Sequence, residues 1–94
     1  MKGKSVYKIP NGKLIKINLD YDDETNKITN ICINGDFFAY PEEAIEIIEK
    51  ELIHTNLIKE ELEDKISFII ENKNFEFIGL NPEGLVKGIM MCIK

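Results

Sequence analysis

Asn34-Gly35-Asp36-Phe37-Phe38-Ala39-Tyr40-Pro41-Glu42-Glu43 separates two periodicities. Upstream, apolar residues alternate as in a strand; downstream, they fall at helical spacing. Between the two lie a turn dipeptide, a carboxylate, three aromatics within four residues and a proline. Successive side chains of a strand face opposite sides, so adjacent Phe37 and Phe38 cannot both point inward. One is expected in the core and the other on a contact surface, with Tyr40 beside it. Gly35, Asp36 and Pro41 read as the turn that holds the stretch, and Asp36 suits bonding to nearby backbone.

Upstream, Val6 to Ile9 reads as a first strand ended by the turn Pro10-Asn11-Gly12. Ile15, Ile17, Leu19 and Tyr21 alternate with Lys16, Asn18 and Asp20, giving a strand with one buried and one wet face. Asp22 to Asn26 is a polar hairpin loop. Lys27 to Asn34 returns as a third strand whose imperfect alternation, through Ile28, Ile31, Cys32 and Ile33, fits a central strand or a bulge.

Downstream, Pro41 suits a first helical turn, and Glu42 and Glu43 suit the positive end of a helix dipole. Ala44, Ile45, Ile48 and Leu52 form a buried stripe with Ile47 at its margin. After a break at His54-Thr55-Asn56, Ile58, Leu62, Ile66, Ile69 and Ile70 give a second helix, with Glu61 and Lys65 as an i,i+4 pair. Asn72-Lys73-Asn74 ends it. Phe75 to Ile78 alternates briefly as a strand. Asn81-Pro82-Glu83 opens a last helix along Leu85, Val86, Ile89, Met90 and Ile93. The order β-β-β-α-α-(β)-α predicts an α+β fold: a small antiparallel sheet of about three strands, covered on one face by two or three helices. Residues 1–94 are expected to form one domain.

The 94 residues carry 12 cations, all lysine, against 17 carboxylates, for a net charge of −5. Without arginine there is no bidentate fork for phosphate or guanine, which argues against nucleic-acid binding. The charge is uneven. Residues 1–35 hold six lysines and four acids, and residues 36–94 hold six lysines and thirteen acids. Lys2, Lys4, Lys8, Lys13 and Lys16 precede any acid and read as a solvated strand face, or as a basic lip for an anionic ligand or acidic partner. Cys32 and Cys92 match no metal or redox spacing and indicate a reducing, cytoplasmic setting. No apolar run is long enough for a signal peptide or a bilayer span, so no membrane association is expected.

The residues alone describe no catalytic constellation. His54 sits at a predicted helix end, where a C-cap or an exposed side chain accounts for it. Both cysteines are expected to pack in the core. There is no phosphate-binding loop and no metal spacing. This reading stops at an accessory or binding module.

Lys8-Ile9-Pro10-Asn11-Gly12-Lys13-Leu14-Ile15-Lys16, followed by an acidic hairpin and then Gly35-Asp36-Phe37-Phe38-Ala39-Tyr40-Pro41-Glu42-Glu43, resembles the small C-terminal accessory domain of lipoate–protein ligases. The Pro-Glu-led last helix fits the same pattern, and the resemblance covers most of the chain. In some prokaryotes this domain is a separate subunit.

The resemblance implies a non-catalytic subunit of a two-component, ATP-dependent ligase. With a large catalytic subunit, such a chain is needed to form lipoyl-AMP before the lipoyl group passes to a lysine of a lipoyl domain. The small domain of the family shifts position relative to the large one during the cycle. The resemblance further implies ATP, magnesium and lipoate in the complex, none bound by this chain alone, and acceptor proteins met only indirectly. Phe37, Phe38 and Tyr40 are then the expected docking residues, and Lys13 the lysine expected nearest the nucleotide phosphates. The alternative is a free-standing protein-interaction or small-ligand module of the same fold without ligase activity. In either case an uncovered apolar patch or sheet edge would let the chain associate with itself.

Overall fold

Three strands made by the alternating N-terminal segment form an antiparallel sheet in the order β1-β2-β3, with β1 at Lys2–Lys8, β2 at Leu14–Asp22 and β3 at Lys27–Gly35. A computed structural model describes residues 1–93. The inner face carries Ile15, Ile17, Leu19 and Tyr21 from β2 and Ile28, Ile31 and Ile33 from β3, all buried. A bulge explains the broken alternation of β3. Asp20 pairs with Asn30 but Tyr21 pairs with Ile28, so Thr29 is the extra residue that returns Ile28 and Ile31 to one face.

β3 is an edge strand rather than a central one, and its edge is covered. The backbone of residues 54–57 bonds to its start: Ile28 N–H donates to Thr55 O at 3.0 Å and His54 N–H to Ile28 O at 2.7 Å. Further along, the Ile33 N–H donates to Glu49 Oε2 at 2.6 Å. An edge amide that would otherwise invite another strand is thereby satisfied within the chain.

Three helices, α1 (Ala44–Leu52), α2 (Lys59–Asn72) and α3 (Pro82–Met90), cover the inner face. α1 buries Ala44, Ile48 and Leu52, and α2 buries Leu62, Ile66 and Ile69, as the 3.6-residue spacing dictates. α3 starts as its sequence predicts, with Asn81 Oδ1 accepting from the Gly84 N–H at 2.6 Å and Pro82 in the first turn. It runs close over the sheet at Gly88, where a methyl group would sit 2.8 Å from the Cδ1 atoms of both Ile15 and Ile17. Ser5 Oγ donates to Gly88 O at 2.7 Å, pinning the first strand to the last helix.

Several expectations are corrected. Pro41 lies before α1 rather than in its first turn; the Tyr40–Pro41 peptide is cis, Ala44 N–H bonds to Pro41 O, and Glu43 occupies the N-cap position with no capping bond from its side chain. Ile58 is exposed because it is the extended cap residue of α2, and Leu57 fills the core in its place. Lys65 reaches Thr55 Oγ1 at 3.1 Å while Glu61 accepts from Asn56 at 3.3 Å, so the expected Glu61–Lys65 pair gives way to bonds with the preceding turn. Ile93 lies beyond the end of α3. Cys32 points out from the wet face of β3, because its register places it opposite Asn18; Cys92 is buried as expected. The α+β architecture holds, with one addition. A second, two-stranded ribbon pairs β4 (Phe38–Tyr40) with β5 (Glu76–Ile78).

Candidate functional site

The ribbon settles the two phenylalanines. Phe37 is half-buried against the core, whereas Phe38 is 58 % exposed. The antiparallel register sets Phe38 opposite Ile78, Ala39 opposite Phe77 and Tyr40 opposite Glu76. Alternation puts Ala39 and Phe77 on the inner side, where the Phe77 ring meets buried Phe75 edge-to-face at 6.5 Å. The outer side carries Phe38, Tyr40 at 52 % exposure and Ile78 at 54 %. Single exposed apolar residues need no explanation, whereas three adjoining ones on a single ribbon face make this the candidate site.

The turn residues hold this ribbon at one end of the sheet. Gly35 ends β3 opposite Ile15, where a side chain would collide with Leu14 O. The next residue, exposed Asp36, is tied to β2 through its backbone N–H, which donates to Leu14 O at 3.1 Å. A shallow groove of about 320 Å³ between Asn34, Phe37, Phe38 and Ile45 lies at the foot of the ribbon.

Lys13 belongs to the same end. Its N–H donates to Gly79 O at 2.9 Å, and Gly79, at φ +88°, leaves its α-carbon bare against the Lys13 side chain. Only a residue without a β-carbon sits easily there. Gly79 directly follows Ile78, so Lys13 and the apolar face share the β5 strand as a common support. Lys8 braces the turn by donating from Nζ to Gly12 O at 2.6 Å. The structure thus brings Phe38, Tyr40 and Lys13 to one end and withdraws Phe37 into the body. Ile78, which joins the apolar face, escaped the sequence reading. Its signal was present in the Phe75-Glu76-Phe77-Ile78 alternation, but its partner strand is remote in sequence.

These residues do not fit a nucleotide or metal site by themselves. Among the described residues, no three His, Cys, Asp or Glu side chains converge to hold a cation. Lys13 contributes a single point charge rather than the planar fork that holds a phosphate at two points. His54 is exposed at φ +72° after α1, and Cys92 is buried, its thiol pushed up by desolvation against the opposing pull of its Ser5 hydrogen bond. A groove of about 740 Å³ beside α3 has Lys59 and Lys87 balanced by Glu63 and Glu83, so it favours neither sign of ligand. No helix among the described residues is long and apolar enough to cross a membrane.

Comparisons with known proteins identify the family and the fold. The model of the bacterial lipoate protein ligase C-terminus matches residues 8–89. Lipoate-protein ligase A subunit 2 of Thermoplasma acidophilum is 33 % identical over 79 residues, covering 81 % of this chain and 76 % of that protein. A chain in the solved structure of an archaeal lipoylation system, a bi-partite lipoate protein ligase and its E2 lipoyl domain from the same organism, superposes with a TM-score of 0.80 at 29 % identity. That superposition covers 100 % of this chain and 98 % of the other. The chain belongs to the lipoate protein ligase C-terminal family.

Proposed function

We propose that this chain is the non-catalytic small subunit of a two-component, ATP-dependent lipoate–protein ligase. It acts with a large catalytic subunit to form lipoyl-AMP, ahead of transfer to lysines of lipoyl domains. The observation that carries this reading is the end-to-end superposition on a chain of a bi-partite ligase.

Phe38, Tyr40 and Ile78 dock on the large subunit, and Phe37 stiffens the ribbon from below. Closing this apolar face over the partner's pocket excludes water. Two unit charges 4 Å apart interact by about 1 kcal/mol in bulk water and about 4 kcal/mol at an effective dielectric near 20, so a drier site strengthens its contacts to the substrate phosphates. Lys13, held beside the ribbon through Gly79, supplies one positive charge at the margin of that pocket. ATP, magnesium and lipoate are bound chiefly by the large subunit.

The test is pyrophosphate release from ATP and lipoate by the large subunit, with and without this chain. Release that requires both supports the reading. A large subunit equally active alone overturns it and leaves a binding module of the same fold.

A further inference from the structure

The outer face of the three-stranded sheet takes no part in the core. Lys2, Lys4 and Lys8 alternate outward along β1, Lys16 stands on β2 and Lys27 on β3, all exposed. Asp20 and Asp22 are the carboxylates of β2 on the same face. Five of the 12 lysines and two of the 17 acids therefore stand here, a face of net +3 on a chain of net −5, leaving −8 for the remainder. The register aligns Val6 with Lys16 and Asn34, and Lys4 with Asn18 and Cys32. Lys4 and Lys16 are diagonal neighbours, roughly 7–8 Å apart by sheet geometry. That is within a Debye length of about 8 Å at physiological salt, so their fields add.

We infer that this face docks the acceptor protein during lipoyl transfer, by recognising an acidic surface around the lysine to be modified. The inference rests on the two-component ligase reading. Spread lysines on a pleated sheet suit spread negative charge, and the shallow concavity of about 480 Å³ beside Lys2 and Lys4 includes Asp20, which repels a free phosphate. Val6 is the one large apolar side chain exposed among these lysines. A permanent subunit contact needs an apolar centre depleted in lysine, which the ribbon has and this face lacks. A lysine-rich, apolar-poor face instead suits a partner that must arrive quickly and leave after each turnover, because electrostatic steering raises the on-rate. The acceptor is that partner.

The experiment uses the assembled two-subunit ligase with its lipoyl-domain acceptor. Two reactions are read: pyrophosphate release without acceptor, and steady-state lipoylation at varied acceptor and salt. The double variant Lys4→Glu/Lys16→Glu is expected to raise the acceptor KM about tenfold and to flatten its salt dependence. Pyrophosphate release without acceptor stays unchanged, and Lys4→Arg/Lys16→Arg keeps the wild-type KM. An unchanged acceptor KM in an active pair overturns the docking face alone. An equal fall in pyrophosphate release also overturns it, by giving the face to the large subunit. A wild-type pair that releases no pyrophosphate overturns the ligase reading and this inference with it.

Discussion

Phe38 and Ile78 are cross-strand partners on the outward side of the β4–β5 ribbon, and each leaves more than half of its surface in water. Their neighbour Phe37 turns the other way. Phe38→Ala is therefore expected to weaken association with the large subunit by about 2–4 kcal/mol, as for a hot-spot aromatic, with little change in the subunit's own melting temperature. Phe37→Ala should do the reverse, lowering folding stability by about 1–3 kcal/mol because its ring packs on the core. Calorimetric titration and thermal melts separate the two. Association untouched by Phe38→Ala would rule out docking through this face.

Glu49 satisfies an edge amide of β3 at 2.6 Å. Glu49→Ala leaves the Ile33 N–H without its acceptor and should cost about 1–2 kcal/mol, whereas Glu49→Gln, which keeps a carbonyl oxygen, should cost less than half of that. Urea denaturation gives the energies. Hydrogen exchange at Ile33 should accelerate in the alanine variant first; equal exchange in all three proteins would show that the bond contributes nothing.

Gly79 stands at φ +88° with the Lys13 side chain against it. Gly79→Ala forces a β-carbon into left-handed backbone and into Lys13, for an expected loss of about 1–2 kcal/mol. The same change should displace Lys13 and lower pyrophosphate release by the assembled ligase beyond what the stability loss explains. Stability within 0.5 kcal/mol of wild type, roughly the scatter of neutral surface changes, would contradict the strain argument.

The two thiols should react differently. Cys32 is exposed, and Cys92 is buried with its thiol raised above the ordinary value of 9.0 by desolvation. A disulfide reagent at pH 8 is expected to label Cys32 at once and Cys92 only as the structure opens. Because the folded value is raised, the unfolded chain loses its thiol proton first. The stabilising contribution is thus fully present below the ordinary value and is lost as pH rises through the folded one. Cys92→Ala should remove that alkaline decline from the denaturation curves.

Much of the fold was legible because its longest elements have clean periods. The alternation of residues 15–21 and the stripe Ala44, Ile48, Leu52 each bury the residues their spacing selects. What escaped depends on contacts remote in sequence. The three-residue strand Phe38–Tyr40 carries no period of its own, and it exists because Glu76–Ile78 lies beside it. Ile58 fits the helical stripe but falls one residue before the helix, where the extended chain turns it out. Cys32 looked internal because the bulge at Thr29, which sets the phase of β3, is decided by pairing with Tyr21. For the site, the aromatic cluster and Lys13 were visible in sequence, while the choice between Phe37 and Phe38 needed the ribbon.

The bond from Ser5 to Gly88 closes a loop over nearly the full length of the protein. β1 and β2 receive their cover from α3, so an N-terminal fragment has no roof for that part of the sheet. During synthesis, the early strands must wait at the ribosome with their isoleucines exposed until the last helix emerges. The β4–β5 ribbon likewise waits for its second strand, because residues 38–40 pair with residues 76–78. The segments farthest along the chain, β5 and α3, thus complete both the apolar ribbon and the cover of the sheet.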